Sequence, residues 1–247
     1  MTMIWIMDVS AVTDFDNVKD KIVCKLINEE ANRQFLEDKP YTKVEDLAVM
    51  YQILMDKNAE GTATITITDN LMDRYGITLE NLHDQALLNM DVLQPYSFKG
   101  MSETIIEMMA GDIAKDNGMD ISEARKVTSQ MILDVPDTMF VLTNDTKVNG
   151  AVAILNDDIR QKITDKVGDF YVLPSSIHET LIIPKDAGME LKDLEQMVQE
   201  VNQTQVAPQE RLSDHVYEYD AKEHELFRSD RAEERAKQNA EKRDEKK

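Results

Sequence analysis

The sequence predicts an α/β (α+β) fold, a mixed sheet with helices packed on it, open to division into two lobes and followed by a charged tail. Three observations carry this. Residues 61–68, GTATITIT, alternate Ala63, Ile65 and Ile67 with threonines, the period of two of a half-buried strand. Thr78 precedes Leu79, Leu82, Ala86 and Met90, a capped helix with one apolar stripe. After Thr138 short apolar runs alternate with helical patterns.

The elements follow in order. Residues 14–20 form a short helix or turn that leads into a strand at 21–27. Residues 29–37 read as a helix that stops before Pro40, because the residue before proline avoids helical backbone. Residues 44–55 fit both patterns: the spacing of Val44, Leu47, Tyr51 and Leu54 suits a helix face, and the β-branched and aromatic content suits a strand. After the 61–68 strand, Asp69 opens a helix over 70–75 that Gly76 ends. The helix at 79–90 has Thr78 as its cap and Glu80 in its first turn, where a carboxylate suits the dipole.

Residues 94–100 read as a break. Helices follow at 102–115, opened by a serine cap, and at 120–133. This pair carries Met101, Met108, Met109, Met119 and Met131; adaptable methionines suit variable partners, and core or cover packing by a less constrained insertion is the commoner reading. Short strands are expected at 139–142 and 151–155, then an amphipathic helix at 157–167 ended by Gly168. Strands at 171–173 and 180–183 flank a polar turn, 174–179. A helix follows at 189–202 and a terminal hairpin at 216–219 and 225–227.

The expected organisation is an apolar extension (1–13), an N-terminal α/β lobe (14–93), a helical methionine-rich insert (94–137), a C-terminal α/β lobe (138–228) and a tail (229–247). From Asp230 onward 7 basic and 6 acidic residues leave almost nothing apolar, so the tail is a frayed helix or disordered.

Composition narrows the function. Across 247 residues, 48 acidic and 28 basic side chains give a net charge of −20. Such a surface repels phosphate backbones and anionic lipid, which argues against nucleic-acid and membrane partners. The apolar run Met1–Val9 is too short to span a bilayer. No Lys or Arg precedes it and no small-residue cleavage site ends it, so it is a poor secretion signal. Cys24 is the single cysteine, which excludes an intrachain disulfide and reads as a small buried hydrophobe. The reducing cytoplasm fits best.

Chemical motifs are sparse. The eight glycines form no phosphate cradle ahead of a helix. One cysteine and four scattered histidines (His83, His178, His215, His224) build no zinc cage. Asp14, Asp16 and Asp20 lack the glycine and distal glutamate of a calcium loop and read as helix-start acids. No metal or cofactor is therefore expected. His178-Glu179 lacks a second histidine four residues after the first, where Ile182 stands. A hydrolase would draw on Ser175 or Ser176 as nucleophile, His178 or His215 as base, and Glu179 or Asp214 to orient it. No Gly-x-Ser-x-Gly elbow exposes either serine, and capping and turn roles explain these residues as well. The run Asn202-Gln203-Thr204-Gln205 ends a helix in polar, uncharged residues before Pro208, as capping requires.

The segments YVLPSSIHE (171–179), EVNQTQVAP (200–208) and LSDHVY (212–217), with KDKIVCKLIN (19–28) and the 61–68 strand, resemble an uncharacterised bacterial family, domain of unknown function 5688. The resemblance covers about residues 14–220. It implies no activity, cofactor or catalytic residue. It implies that members carry a further N-terminal α/β segment, so this chain reads as a shortened member, with sheet edge or core surface exposed near Met1–Val9.

The balance tilts away from an enzyme. The expected function is a cytoplasmic, non-catalytic protein-binding or regulatory module whose partner is another protein. The alternative is a hydrolase using Ser175 or Ser176 with His178 or His215.

Overall fold

The computed structural model describes residues 10–58, 61–132 and 136–245. Met1–Val9, where an exposed sheet edge was expected, lies outside the described residues. The expected α+β class holds, and every strand pairing among the described residues is antiparallel.

The first sheet begins after two short helices, α1 (Ser10–Thr13) and α2 (Phe15–Val18). Asp14 caps α2 by accepting the Asp16 N–H, as a helix-start acid should. Strand β1 (Ile22–Asn28) follows, then one helical turn, α3 (Arg33–Leu36). Residues 29–32 are turns, so the helix expected over 29–37 is shorter than its pattern. Strands β2 (Tyr41–Val44), β3 (Leu47–Asn58) and β4 (Gly61–Thr66) complete the sheet. The ambiguous 44–55 segment is a strand: β3 is central, with β1 along one edge and β2 and β4 along the other. Pairing on both sides buries Leu47, Val49, Tyr51 and Ile53, which a helix could not do here.

Helices α4 (Asp69–Tyr75) and α5 (Leu79–Leu93) form as read. Thr78 and Asn81 make a reciprocal capping box, and Leu82, Ala86 and Met90 face inward. Side-chain amides then close the open edge of β1. Gln94 accepts the Cys24 N–H (3.4 Å) and donates to the Cys24 carbonyl (3.2 Å), as a neighbouring strand would. Asn89 donates to the Ile22 carbonyl (2.9 Å).

The second sheet runs β10-β9-β7-β8-β6-β5. The expected break at 94–100 contains its edge strand, β5 (Tyr96–Gly100), which pairs with β6 (Phe140–Asn144). The cue was weak because only five residues alternate, with no fully buried face. Between β5 and β6 stand helices α6 (Met101–Asn117) and α7 (Ile121–Ser129). No serine caps α6. Asp137, 35 positions away, accepts the Ser102 N–H at 2.8 Å in its place.

The largest departure is at Gly150–Leu155. This apolar run is not a strand but a 3-10 helix, with all six residues buried. Both edges of β6 are already taken, by β5 and β8, so no ladder position was open. The run packs instead between β1 of the first sheet and β6 and β8 of the second. One apolar cluster therefore joins Leu26, Val49 and Tyr51 of the first sheet to Val152, Ile154, Leu142 and Val172.

Helix α8 (Asp157–Val167) follows, capped by Asn156 and stopped at Gly168, whose φ of 73° suits glycine. Strands β7 (Phe170–Ser176) and β8 (Glu179–Pro184), helix α9 (Leu191–Thr204) and the hairpin β9 (Tyr217–Asp220) and β10 (Glu225–Arg228) close the sheet. Helix α10 (Ala232–Glu245) begins the tail, tied down by Arg235 on Asp220 and Glu225. Among the described residues no helix is long and apolar enough to cross a membrane.

Two outcomes are expected. A Cβ on Gly150 would sit within 2.6 Å of Thr143 Oγ1, the Asn144 nitrogen and the His178 carbonyl, two of which are backbone. Gly150→Ala should cost about 1–3 kcal/mol in urea denaturation, as overpacking does. Gly111→Ala meets no atom within 4 Å and should gain about 0.5–1 kcal/mol as a helical Gly→Ala change. Equal effects of the two would contradict the packing. Burial pushes the Cys24 thiol up to about 12, so disulfide reagents should label it at neutral pH only after unfolding.

Candidate functional site

The polar turn at 174–179 is narrower than the sequence suggested. Strands β7 and β8 run through it to the Ser176–Glu179 pair, leaving Ile177 and His178 as the turn. Ser176 Oγ accepts the His178 N–H (3.0 Å). The His178 ring then reaches back along the sheet. Its Nδ1 accepts the N–H of Asn149 (3.2 Å), and its Nε2 lies 3.5 Å from Glu210. The His178 carbonyl accepts from Thr143 (2.8 Å), and the Ile177 carbonyl accepts the Ala151 N–H. These bonds hold the start of the buried 3-10 run, where Asn149 sits at φ 54°. Ser175 lines a small apolar pocket with Leu173, Met197 and Val201.

Asp214 and His215 belong to a second network. Asn202, buried near the end of α9, donates to Asp214 (2.7 Å) and to the Ser213 carbonyl (2.9 Å). Arg228 donates to His215 Nδ1 (3.2 Å) and to Asp230, and because a guanidinium only donates, that ring nitrogen accepts. Ser213 and Tyr217 both donate to Asp46, at 2.7 and 2.5 Å, which clasps the β2–β3 turn to β9. The six candidates thus divide. Ser176, His178 and Glu179 meet at the β7–β8 turn, and Asp214 and His215 lie with Asn202 and Arg228. Among the described residues no serine hydroxyl bonds to a histidine ring.

The structure brings together another group. A cleft of about 780 Å³ is lined by the β2–β3 turn, α5, α8, the β9–β10 turn and α10. Asp157 is the hub of its hydrogen bonds. One oxygen of Asp157 accepts from Arg160 (3.1 Å) and Tyr219 (2.9 Å), and the other lies 2.8 Å from His224 Nδ1. Burial opposes ionisation of Asp157, but the hydrogen bonds from Arg160 and Tyr219 outweigh it and hold the carboxyl below its usual range. Arg160 is 8% exposed and lies over the Tyr219 ring at 4.9 Å. His83 also lines the cleft, and burial pulls its pKa down. Arg231, Glu234 and Arg235 of the tail supply the far wall.

Two rim residues, Glu45 (φ 55°) and His224 (φ 56°), hold left-handed backbone that costs a side-chain-bearing residue energy. Asp157 and Arg160 had read only as part of an amphipathic helix at 157–167, and His224 as one histidine among four. Only the i, i+3 spacing of Asp157 and Arg160 hinted at their pairing. Among the described residues no three His, Cys, Asp or Glu side chains converge as metal ligands would.

A family model described as a family of unknown function, DUF5688, matches residues 3–221. The chain belongs to DUF5688. The match starts at residue 3 rather than 14, so most of the expected extension lies inside the family model. No curated protein and no solved structure matches the chain. In this DUF5688 member the three C-terminal signature segments make the contacts described above: the β7–β8 turn anchors the 3-10 run, Asn202 anchors Asp214, and Ser213 and Tyr217 hold Asp46.

The clasp at Asp157 has a pH signature. A folded pKa below the unfolded one means the clasp adds stability in full above the usual carboxyl value of 3.8, and loses it as pH falls through the lower folded value. Carboxyl NMR should place the Asp157 midpoint below 3.8, and Tyr219→Phe should raise it. A midpoint at or above 3.8 in the unmodified protein would contradict the clasp.

Proposed function

We propose that the protein is a non-catalytic binding or regulatory module whose partner is another protein, engaged by the α6–α7 hairpin. One observation carries this reading. Eleven large apolar side chains stand exposed among the described residues, and six of them (Ile105, Met108, Met119, Ile121, Val127, Met131) lie on the hairpin. Met108 and Met131 are about 60% exposed. Ile105 and Met108 have helical-face spacing on α6, and Met131 stands in the turn just past the end of α7. Apolar surface concentrated in this way marks an interaction site, and methionine repacks against varied partners.

Charge narrows the partner. Residues 101–132 carry 6 acidic and 3 basic side chains, on a chain of net −20. A second copy would be repelled, whereas a segment with one apolar face and a basic rim is complementary. We place the module in the cytoplasm, a reading supported by the lone, buried Cys24. The hydrolase alternative draws no support from the serine and histidine bonds described above.

A synthetic amphipathic Leu/Lys peptide should shift the methyl resonances of Met108, Met119 and Met131, and Met108→Glu with Met131→Glu should weaken binding at least ~10-fold, the effect of about 1.4 kcal/mol. Unmoved methionine signals, an acidic peptide binding equally well, or self-association of the free protein through this face would each overturn the reading.

A further inference from the structure

We infer that the cleft above Asp157 is a binding site for a small carboxylate with an apolar or aromatic body. Its volume, about 780 Å³, lies in the range of small-molecule sites, and it opens where elements of both sheets meet. Three of the nine arginines and two of the four histidines line it, among four carboxylates (Glu45, Asp157, Glu225 and Glu234), so donors and acceptors of both signs face one space.

Most of these charges are already matched. Arg160 is held by Asp157, and Arg235 by Asp220 and Glu225. Arg231 differs. It donates from Nη1 to Glu45 (3.0 Å), while its Nε and Nη2 have no partner among the described residues. Those two nitrogens form the fork that a carboxylate accepts in bidentate fashion. His224 is the second open group: Nδ1 faces Asp157 and Tyr219, and Nε2 is the remaining ring nitrogen, which donates to a carboxylate only when the ring is the imidazolium. Glu234 lines the same cleft and opposes a second negative charge, which favours a monoanion over a phosphate dianion. Leu87, Leu226 and Phe227 supply the apolar surface for the body of the ligand.

The strained His224 backbone fits this assignment. At φ 56° a glycine would be easier, yet a histidine stands there with its ring fixed by a carboxylate.

The full chain, titrated with benzoate, should show saturable shifts of the Arg231 Nε–H and the His224 ring signals. Benzamide, the neutral analogue, should bind at least ~10-fold more weakly, as should benzoate on Arg231→Gln, since a charged hydrogen bond contributes about 1.5–3 kcal/mol. His224→Gly removes the ring in a backbone conformation that glycine prefers, so it should fold and still bind benzoate several-fold more weakly. The inference is overturned if benzoate gives no saturable shift, if benzamide or phenyl phosphate binds as well as benzoate, or if both variants keep the full affinity.

Discussion

The fold depends on one constraint: a six-residue apolar helix, Gly150–Leu155, must be buried between two antiparallel sheets. It has no polar face. It is therefore stable only with β1 on one side and β6 and β8 on the other, and each sheet in turn buries its inner face against it. Small residues make this possible. Gly150 admits the backbone of β6 and the His178 carbonyl, and Ala151 and Ala153 keep the helix thin. The start of the run is satisfied from outside, by the His178 ring on the Asn149 N–H and the Ile177 carbonyl on the Ala151 N–H.

A second set of contacts fixes the sheets in register with each other. Asp46, in the turn of a first-sheet hairpin, accepts from Ser213 and Tyr217 of the second. Burial and the neighbouring Asp46 push the Tyr217 hydroxyl's pKa well up, so it stays a donor throughout the physiological range. The cleft is a consequence. With the sheets joined at the 3-10 run and at Asp46, the β2–β3 turn, α5, α8 and α10 stand around a space that no side chain fills. The α6–α7 hairpin is placed differently. It leaves β5 and returns at β6, packs chiefly on itself through Ala110, Ala124 and Thr128, and leaves Ile105, Met108, Ile121 and Val127 exposed while Ile106, Met109 and Ile113 are half-buried. Cleft and hairpin are thus separate surfaces with different chemistry.

Elements defined by local signals were legible in the sequence. The Thr78 cap, the Gly76 and Gly168 stops and the alternation at 61–68 all rest on interactions within a few residues. Elements that depend on remote partners were not. Residues 151–155 carry an apolar run that suits a strand, and only the occupied edges of β6 exclude it. Ser102 looks like a cap, yet the capping oxygen comes from Asp137. The signature segments were recognisable, but Ser176, His178, Asp214 and His215 are bonded into the fold, and of the groups that converge, Asp157, Arg160, Tyr219 and His224, only Asp157 and Arg160 had a spacing that hinted at it.

The sequence by itself determined the α+β class, the existence of most helices, the buried cysteine and the terminal hairpin, because these follow from periodicity, capping and charge along neighbouring residues. Only the tertiary structure decided that Gly150–Leu155 is a wedge rather than a strand, that His178 is bonded to Asn149, and that a cleft forms over Asp157. Those outcomes rest on contacts such as Asp46 with Tyr217, 171 positions apart, whose geometry exists only after both sheets have closed on one core.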